Sequence, residues 1–484
     1  MSTLKRFFKD TIIYGIAAVL PRAINILLVK LHTKTLQSDK YAENTMYFVY
    51  AAYLNAILTY GLETAFFRFF TKEKEKGKVI STSFISLIFT TLLFLIISFY
   101  FSTEISTFFG FTNVVYLQIL ILVTTFDTLM VIPFAYLRVT NRPIKFAFYK
   151  VLNILIYALS NLYFLLYVPY AISKNAYVPK MIIQLYDSYP LVVFIFIANL
   201  IASFFTFLVL LPIVLKFKFT FDKQLLYKML SYGLPIMVGS LAFVTNENLD
   251  KLLLERIIGK EEMGIYAACY KLGVFMTLYI MAFRLGAEPF FFNHAKEDNA
   301  KETYAKILTW FTVVGAIFML IIVAFIDQFA QLLLGKEEYF KALAIVPIIL
   351  LANLFLGIYN NLSVWYKLTD MTRYGMVFSI FGALITIVLN LIFIPKIGYM
   401  ASAWATLMAY SFMTALSYYY GKKYYAVPYS VNKIFLYLTL TVIMSALSFI
   451  YFRGNYIISV IFISLLFGII YFKEKKELQN IFRK

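Results

Sequence analysis

Tyr189–Leu215 reads YPLVVFIFIANLIASFFTFLVLLPIVL, a run without one charged side chain and longer than the roughly 20 residues an α-helix needs to cross a bilayer's hydrocarbon core. Its apolar positions are continuous rather than alternating, which argues against the short strands of a membrane barrel. Five comparable stretches precede it, at 11–33, 42–69, 79–101, 114–137 and 147–170. Eight follow, at 229–255, 263–287, 305–328, 340–366, 375–395, 398–420, 433–452 and 455–472. The chain is therefore expected to be an all-α integral membrane protein with about fourteen transmembrane helices.

Composition agrees. At 62% hydrophobic and 14% charged, with a mean hydropathy of +0.79, the 484 residues carry too little polar surface to cover a soluble globule. No Ser/Pro/Gly linker, low-complexity tract or long hydrophilic block marks off a soluble domain. With Cys269 as the single thiol there is no internal disulfide or cysteine-based metal cluster, and His32 and His294 are too few and too far apart to suggest a metal site. No bound metal or organic cofactor is expected.

Charge predicts the orientation. With the N-terminus inside, thirty of the 44 Lys and Arg residues fall on inner segments, including Arg68 to Lys78, Arg138 to Lys150, Lys216 to Lys228 and the tail from Lys473, against eleven on outer connections. That bias obeys the positive-inside rule and places both termini in the cytoplasm. The net charge of +19 is read as topogenic and as attraction to anionic lipid headgroups; no aromatic-interleaved basic patch argues for nucleic acid. Lys5, Arg6 and Lys9 ahead of an apolar run imitate a signal peptide, but the run continues past Pro21 and Arg22 to Val29, as an uncleaved first helix does.

The two halves echo each other. Tyr14-Gly15 recurs as Tyr232-Gly233, and Tyr50-Ala51-Ala52-Tyr53 recurs loosely as Tyr266-Ala267-Ala268-Cys269-Tyr270. Chance matches are the competing explanation in a chain with 39 tyrosines. If the repeat is real, six helices between equivalents keep the same membrane orientation, the parallel repeat found in alternating-access transporters. The expected domains are an N-terminal six-helix lobe (1–225), a C-terminal six-helix lobe (226–425) and two additional helices with a cytoplasmic tail (426–484).

Ionised groups inside spans are costly, so they are the first candidates for a working site. Arg22, Asp127 and Lys271 are expected to be deepest, at about 2.5–3.5 kcal/mol each on insertion scales. Glu63 is placed within reach of Arg22 across an antiparallel helix pair, while Glu63 and Arg68, five apart, point about 140° away from each other. Glu247 and Lys251 have the spacing of an intrahelical pair, with Asp250 on a neighbouring face, and Arg284 with Glu288 repeats that spacing. Each has a structural alternative: Arg68, Arg284 and Glu288 lie where side chains snorkel to the surface, and Lys251 and Glu247 divide evenly between packing and function. The excess of buried cations suits an anionic cargo such as a phosphate or diphosphate, which Arg grips through paired donors; a cationic drug would prefer the opposite sign.

Gly61-Leu62-Glu63-Thr64-Ala65-Phe66-Phe67-Arg68-Phe69, then Phe134-Ala135-Tyr136-Leu137-Arg138 with Asn141-Arg142-Pro143, and Asp250-Lys251 followed by Gly264-Ile265-Tyr266 and Tyr270-Lys271, resemble the bacterial polysaccharide flippases. These are the Wzx-like members of the superfamily that also holds MATE-type multidrug exporters and lipid II flippases. The resemblance runs the whole length and includes two helices beyond the twelve usual in MATE exporters. It implies a two-lobed MATE-like fold in the bacterial cytoplasmic membrane. It further implies rocker-switch movement of undecaprenyl-diphosphate-linked oligosaccharide toward the periplasmic leaflet, coupled to a proton or sodium gradient, with polysaccharide polymerase machinery as partner. On that basis Arg22, Lys271, Arg68 and Lys251 are the substrate-binding candidates and Glu63 and Asp250 ion-coupling candidates, to which depth in its span adds Asp127. No catalytic residue is implied. Two other readings stay open: a cation-coupled multidrug exporter, and a membrane polymerase or glycosyltransferase, which is disfavoured because the longest outer connection, 171–188, offers one acid, Asp187.

Overall fold

In hydrocarbon every main-chain N–H and C=O must find its partner within the segment, so continuous apolar runs fold as helices. The computed structural model describes residues 3–295, 297–369 and 371–482, and within them the side chains at 3–14, 16–18, 285, 286, 288, 289, 292, 293, 476–478 and 480–482 lie outside the description. Among the described residues there is no strand, and eleven helices are long and apolar enough to cross a bilayer. All fourteen expected stretches fall on helix.

The chain packs into two compact units, Met1–Leu252 and Leu253–Lys484. In the first unit the helices are α1 (Thr3–Thr35), α2 (Ser38–Thr59), α3 (Leu62–Lys72), α4 (Lys76–Tyr100), α5 (Ser102–Phe109), α6 (Val114–Val139), α7 (Pro143–Leu162), α8 (Val168–Ser173), α9 (Lys180–Ser188), α10 (Val192–Leu215) and α11 (Lys223–Ile258) up to Leu252. The second unit contains α12 (Lys260–Tyr270), α13 (Val274–His294), α14 (Ala300–Ala324), α15 (Ile326–Leu333), α16 (Ile345–Leu362), α17 (Val364–Leu368), α18 (Arg373–Ile397), α19 (Tyr399–Tyr424), α20 (Val431–Ile450) and α21 (Tyr456–Phe482).

Five spans expected to be single helices are interrupted: 305–328 at Phe325, 340–366 on both sides of α16, and three others. The stretch 42–69 breaks where Tyr60 and Gly61 take left-handed backbone angles, φ 34° and 71°. The break separates α2 from α3, whose buried Leu62, Ala65, Phe66 and Phe70 lie on one face at helical spacing and pack with Val79 and Ile80 of α4, Ile132 and Ala135 of α6 and Leu225 and Met229 of α11. The stretch 147–170 widens into a π-helical turn at Tyr163–Tyr167 between α7 and α8. The stretch 263–287 tightens into a 3₁₀ turn at Lys271–Gly273, where the Asn353 amide donates to the Gly273 carbonyl at 3.1 Å. Connections are also less open than expected: 171–188 contains α9, and α13 runs on to His294, past the end expected at 287.

Close approach decides one junction in the first unit. A Cβ built on Gly61 would stand 2.0 Å from the carbonyl oxygen of Gly233, and one on Gly233 would stand 3.0 Å from the Tyr60 carbonyl oxygen. Two bare main chains therefore touch where α3 begins, beside the Arg68 guanidinium, which lies 4.2 Å from the centre of the Tyr232 ring.

Ahead of α11, Asp222 accepts from the Leu225 main-chain N–H at 3.0 Å and pairs with Lys78 of α4 at 2.9 Å. The Leu225 amide first, and then the Lys78 ammonium, hold its carboxyl below the usual carboxylate range. A lowered folded value means a contribution that is complete above the unfolded value of about 3.9 and is lost as pH falls through the folded one. Asp222→Asn keeps the cap and removes the charge. Its thermal midpoint is expected below that of the unaltered chain at neutral pH and equal to it once the pH has dropped under the folded value, a convergence that a midpoint series against pH would read.

In the second unit Trp365 is buried between α17 and α19, donating to Ser417 Oγ at 3.2 Å. At one end of α21 the buried Glu474 accepts from Lys433 Nζ at 2.8 Å and from the Tyr437 hydroxyl at 2.6 Å, fastening α21 to α20. At the other end Arg453 makes a forked pair with Asp327 of α15, with its closest contact 2.6 Å.

Candidate functional site

Polar side chains gather inside the first unit on four helices. Asp127 of α6, partly buried, accepts from the Ser203 hydroxyl of α10 at 2.7 Å, and Asn55 of α2 reaches the same carboxylate. Asn55 Oδ1 is buried without a hydrogen-bond partner. Asn153 of α7 donates to Thr206 of α10 at 3.1 Å. The charge of Lys150 on α7 acts on Asp127, while its ammonium stands 4.2 Å from the centre of the Phe134 ring. In a helix bundle in lipid, such a seam of Asn, Ser, Thr and paired charge bonds helix to helix and offers oxygen atoms to a small cation or a proton.

Lys150 closes the inner basic segment Arg138 to Lys150 and also falls within the expected stretch 147–170. Pro143 starts α7, because a proline at the first helical position gives up an N–H that has no helical partner, and Lys150 is then two turns inside. Those two signals were present in the sequence and read as part of a basic cluster. Ser203 and Asn55, neutral residues in apolar runs, carried no such signal.

Glu63 does not meet Arg22. Its carboxylate accepts from Arg138 of α6 at 3.0 Å, because the break at Tyr60–Gly61 sets α3 against α6, and Arg138 also lies 4.9 Å from the centre of the Phe67 ring. Both partners of this pair are more than two-fifths exposed, so its contribution to stability is small. Arg22 on α1 is exposed and makes no hydrogen bond or ion pair to a described residue. Arg68 stacks on Tyr232.

Asp250 and Lys251 are 2% and 6% exposed and are brought together: Lys251 Nζ donates to Asp250 Oδ1 at 3.0 Å and to the Glu247 carbonyl oxygen at 2.8 Å. The lysine thus reaches the main chain of Glu247, one turn back, and its immediate neighbour's carboxylate. Lys271, partly buried, opens the 3₁₀ turn, and Arg284 on α13 lines a small pocket with Lys367, Asn360 and Asn361. The side chain of Glu288, the expected partner of Arg284, lies outside the described residues. Among the described residues no cluster of three or more His, Cys, Asp or Glu side chains has the makings of a metal site.

Comparison with known proteins places this architecture. The solved inward-closed lipid II flippase MurJ superposes with a TM-score of 0.73 at 17% identity, covering 96% of this chain and 99% of that one. An inward-facing multidrug resistance MATE transporter of the MOP superfamily follows at 0.66 and 11% identity, covering 83% and 94%. A MOP superfamily transporter from Pyrococcus furiosus gives 0.59 at 13% identity, covering 86% and 95%. At these identities the likeness shows the fold, which is MurJ- and MATE-like. No curated protein matches in sequence. The MatE family model matches residues 235–392. The family model described as polysaccharide biosynthesis protein matches residues 7–291, more than half of the sequence, and the chain belongs to that family.

Proposed function

We propose that the protein is a flippase that moves undecaprenyl-diphosphate-linked oligosaccharide across the bacterial cytoplasmic membrane by alternating access, for surface polysaccharide synthesis. The observation that carries this reading is the match of the polysaccharide biosynthesis model over 7–291, in a chain that spans the lipid II flippase fold almost end to end. Arg22 is the leading contact for the diphosphate, since an exposed guanidinium on a membrane helix has donors to offer a planar pair of phosphate oxygens. Lys271, at a break in its helix, is the second candidate. Asp127, with the unpartnered carbonyl oxygen of Asn55 beside it, is the group that exchanges a proton or sodium ion. Asp250, Lys251, Glu63 and Arg68 take supporting parts, because each is already engaged by a neighbour. No bond is made or broken in the cargo, and the polysaccharide polymerase is a separate protein.

In a host lacking its own flippase, expression should restore surface polysaccharide, and Arg22→Gln or Lys271→Gln at equal membrane abundance should each abolish it. Normal polymer from both variants would remove these residues from the mechanism. The MatE match over 235–392 favours a second reading, a cation-coupled multidrug exporter. Raised drug tolerance in a pump-deficient host, without restored polysaccharide, would select it.

A further inference from the structure

Between the first turns of α14 and α20 lies a cleft of about 230 Å³. At about 30 Å³ per water molecule it has room for several, the scale of a phosphate and its ester arm. Lys306 and Thr309 of α14 form one wall, Ser430 and Lys433 the other, and Glu302 stands exposed beside them.

The two ammonium groups differ in how they are held. Lys433 is fixed by its 2.8 Å bond to the buried Glu474, which leaves donors over, since an ammonium carries three. Lys306 is exposed and has no hydrogen-bond or ion-pair partner among the described residues. The hydroxyl of Ser430 makes no capping bond to α20. Thr309 is occupied by the Ala305 carbonyl oxygen, so it shapes the wall rather than donating.

Depth identifies the surroundings. The apolar spans of α14, α20 and α21 begin or end at Ala300, Val431 and Lys475, and the Lys433–Glu474 bond sets the start of α20 level with the end of the apolar span of α21. The cleft therefore opens where apolar helix gives way to lysine-rich segments, the level of lipid headgroups, whose anionic members attract basic side chains.

We infer that this cleft binds a phosphate group, held between Lys306 and Lys433 with the Ser430 hydroxyl as a third donor. The same chemistry is offered by an anionic phospholipid headgroup and by free phosphate. Glu302 opposes either, and its removal should tighten binding.

Native mass spectrometry of the full chain, released from micelles containing phosphatidylglycerol and phosphatidylcholine, tests this. Phosphatidylglycerol should be retained in preference, roughly tenfold more weakly by Lys306→Gln, as loss of a charge-assisted bond to phosphate implies, and more strongly by Glu302→Gln. Inorganic phosphate added at millimolar concentration separates the sources. Displacement of the lipid, or phosphate binding that needs Lys306, assigns the cleft to the free anion; retention unaffected by phosphate assigns it to the lipid. If Lys306→Gln, Glu302→Gln and the unaltered protein bind both ligands alike, the inference is wrong.

Discussion

Gly61→Ala lowers the melting midpoint of the purified protein far more than Gly110→Ala does. Both glycines have nearly the same left-handed backbone, φ 71° and 74°, so a side chain costs each roughly 1–2 kcal/mol in conformation. Their surroundings differ. Nothing lies within 4 Å of a Cβ on Gly110, whereas on Gly61 it would stand 2.0 Å from the Gly233 carbonyl oxygen, which is main chain and cannot swing aside. Overpacking typically adds about 1–3 kcal/mol, so the expected total for Gly61→Ala is roughly 2–5 kcal/mol. Gly233→Ala, meeting atoms at 3.0–3.2 Å, should fall between the two. Heating followed by size-exclusion chromatography would give the order, and equal losses at Gly61 and Gly110 would show that α3 does not rest on that contact.

Asp250→Ala should be nearly as damaging, and Lys251→Met on the same chain should largely repair it. Removing one member of a buried ion pair strands the other charge, at about 3–5 kcal/mol, while replacing both with apolar groups is often neutral. Lys251 is 6% exposed and its carboxylate partner 2%, so water does not take the place of the lost bond. The repaired double variant then separates structure from transport. Polysaccharide restored to normal would make the pair a fastener, whereas normal abundance with no polysaccharide would return Asp250 and Lys251 to the ion or cargo path. A double variant less stable than the sum of the singles would contradict the pairing itself.

What could be read in advance follows from the range of each interaction. Helical spans depend on runs of apolar residues close in sequence, and Tyr189–Leu215 needs nothing else to declare itself. Interruptions depend on one or two residues. Tyr60 and Gly61 gave a hint, since glycine tolerates left-handed angles, but glycines also occur inside membrane helices, and only the facing Gly233 makes the turn necessary. The partners of charged residues were hardest, because they are settled across helices. Glu63 lies 75 positions from Arg138, and Ser203 lies 76 from Asp127. Helical spacing pointed to Glu247 and Lys251, but it did not foretell the bonds Lys251 makes to the adjacent carboxylate and to the Glu247 main-chain oxygen.

Glu474 has a practical meaning for anyone engineering the carboxyl end. It sits in the tail side of α21, yet it is only 2% exposed, and two groups from α20 depend on its oxygens. Shortening the protein to residue 472, where its last apolar run ends, would remove a carboxylate that both the Tyr437 hydroxyl and the Lys433 ammonium bind. Affinity tags and fluorescent fusions are therefore best joined after this glutamate, with the lysines around it retained.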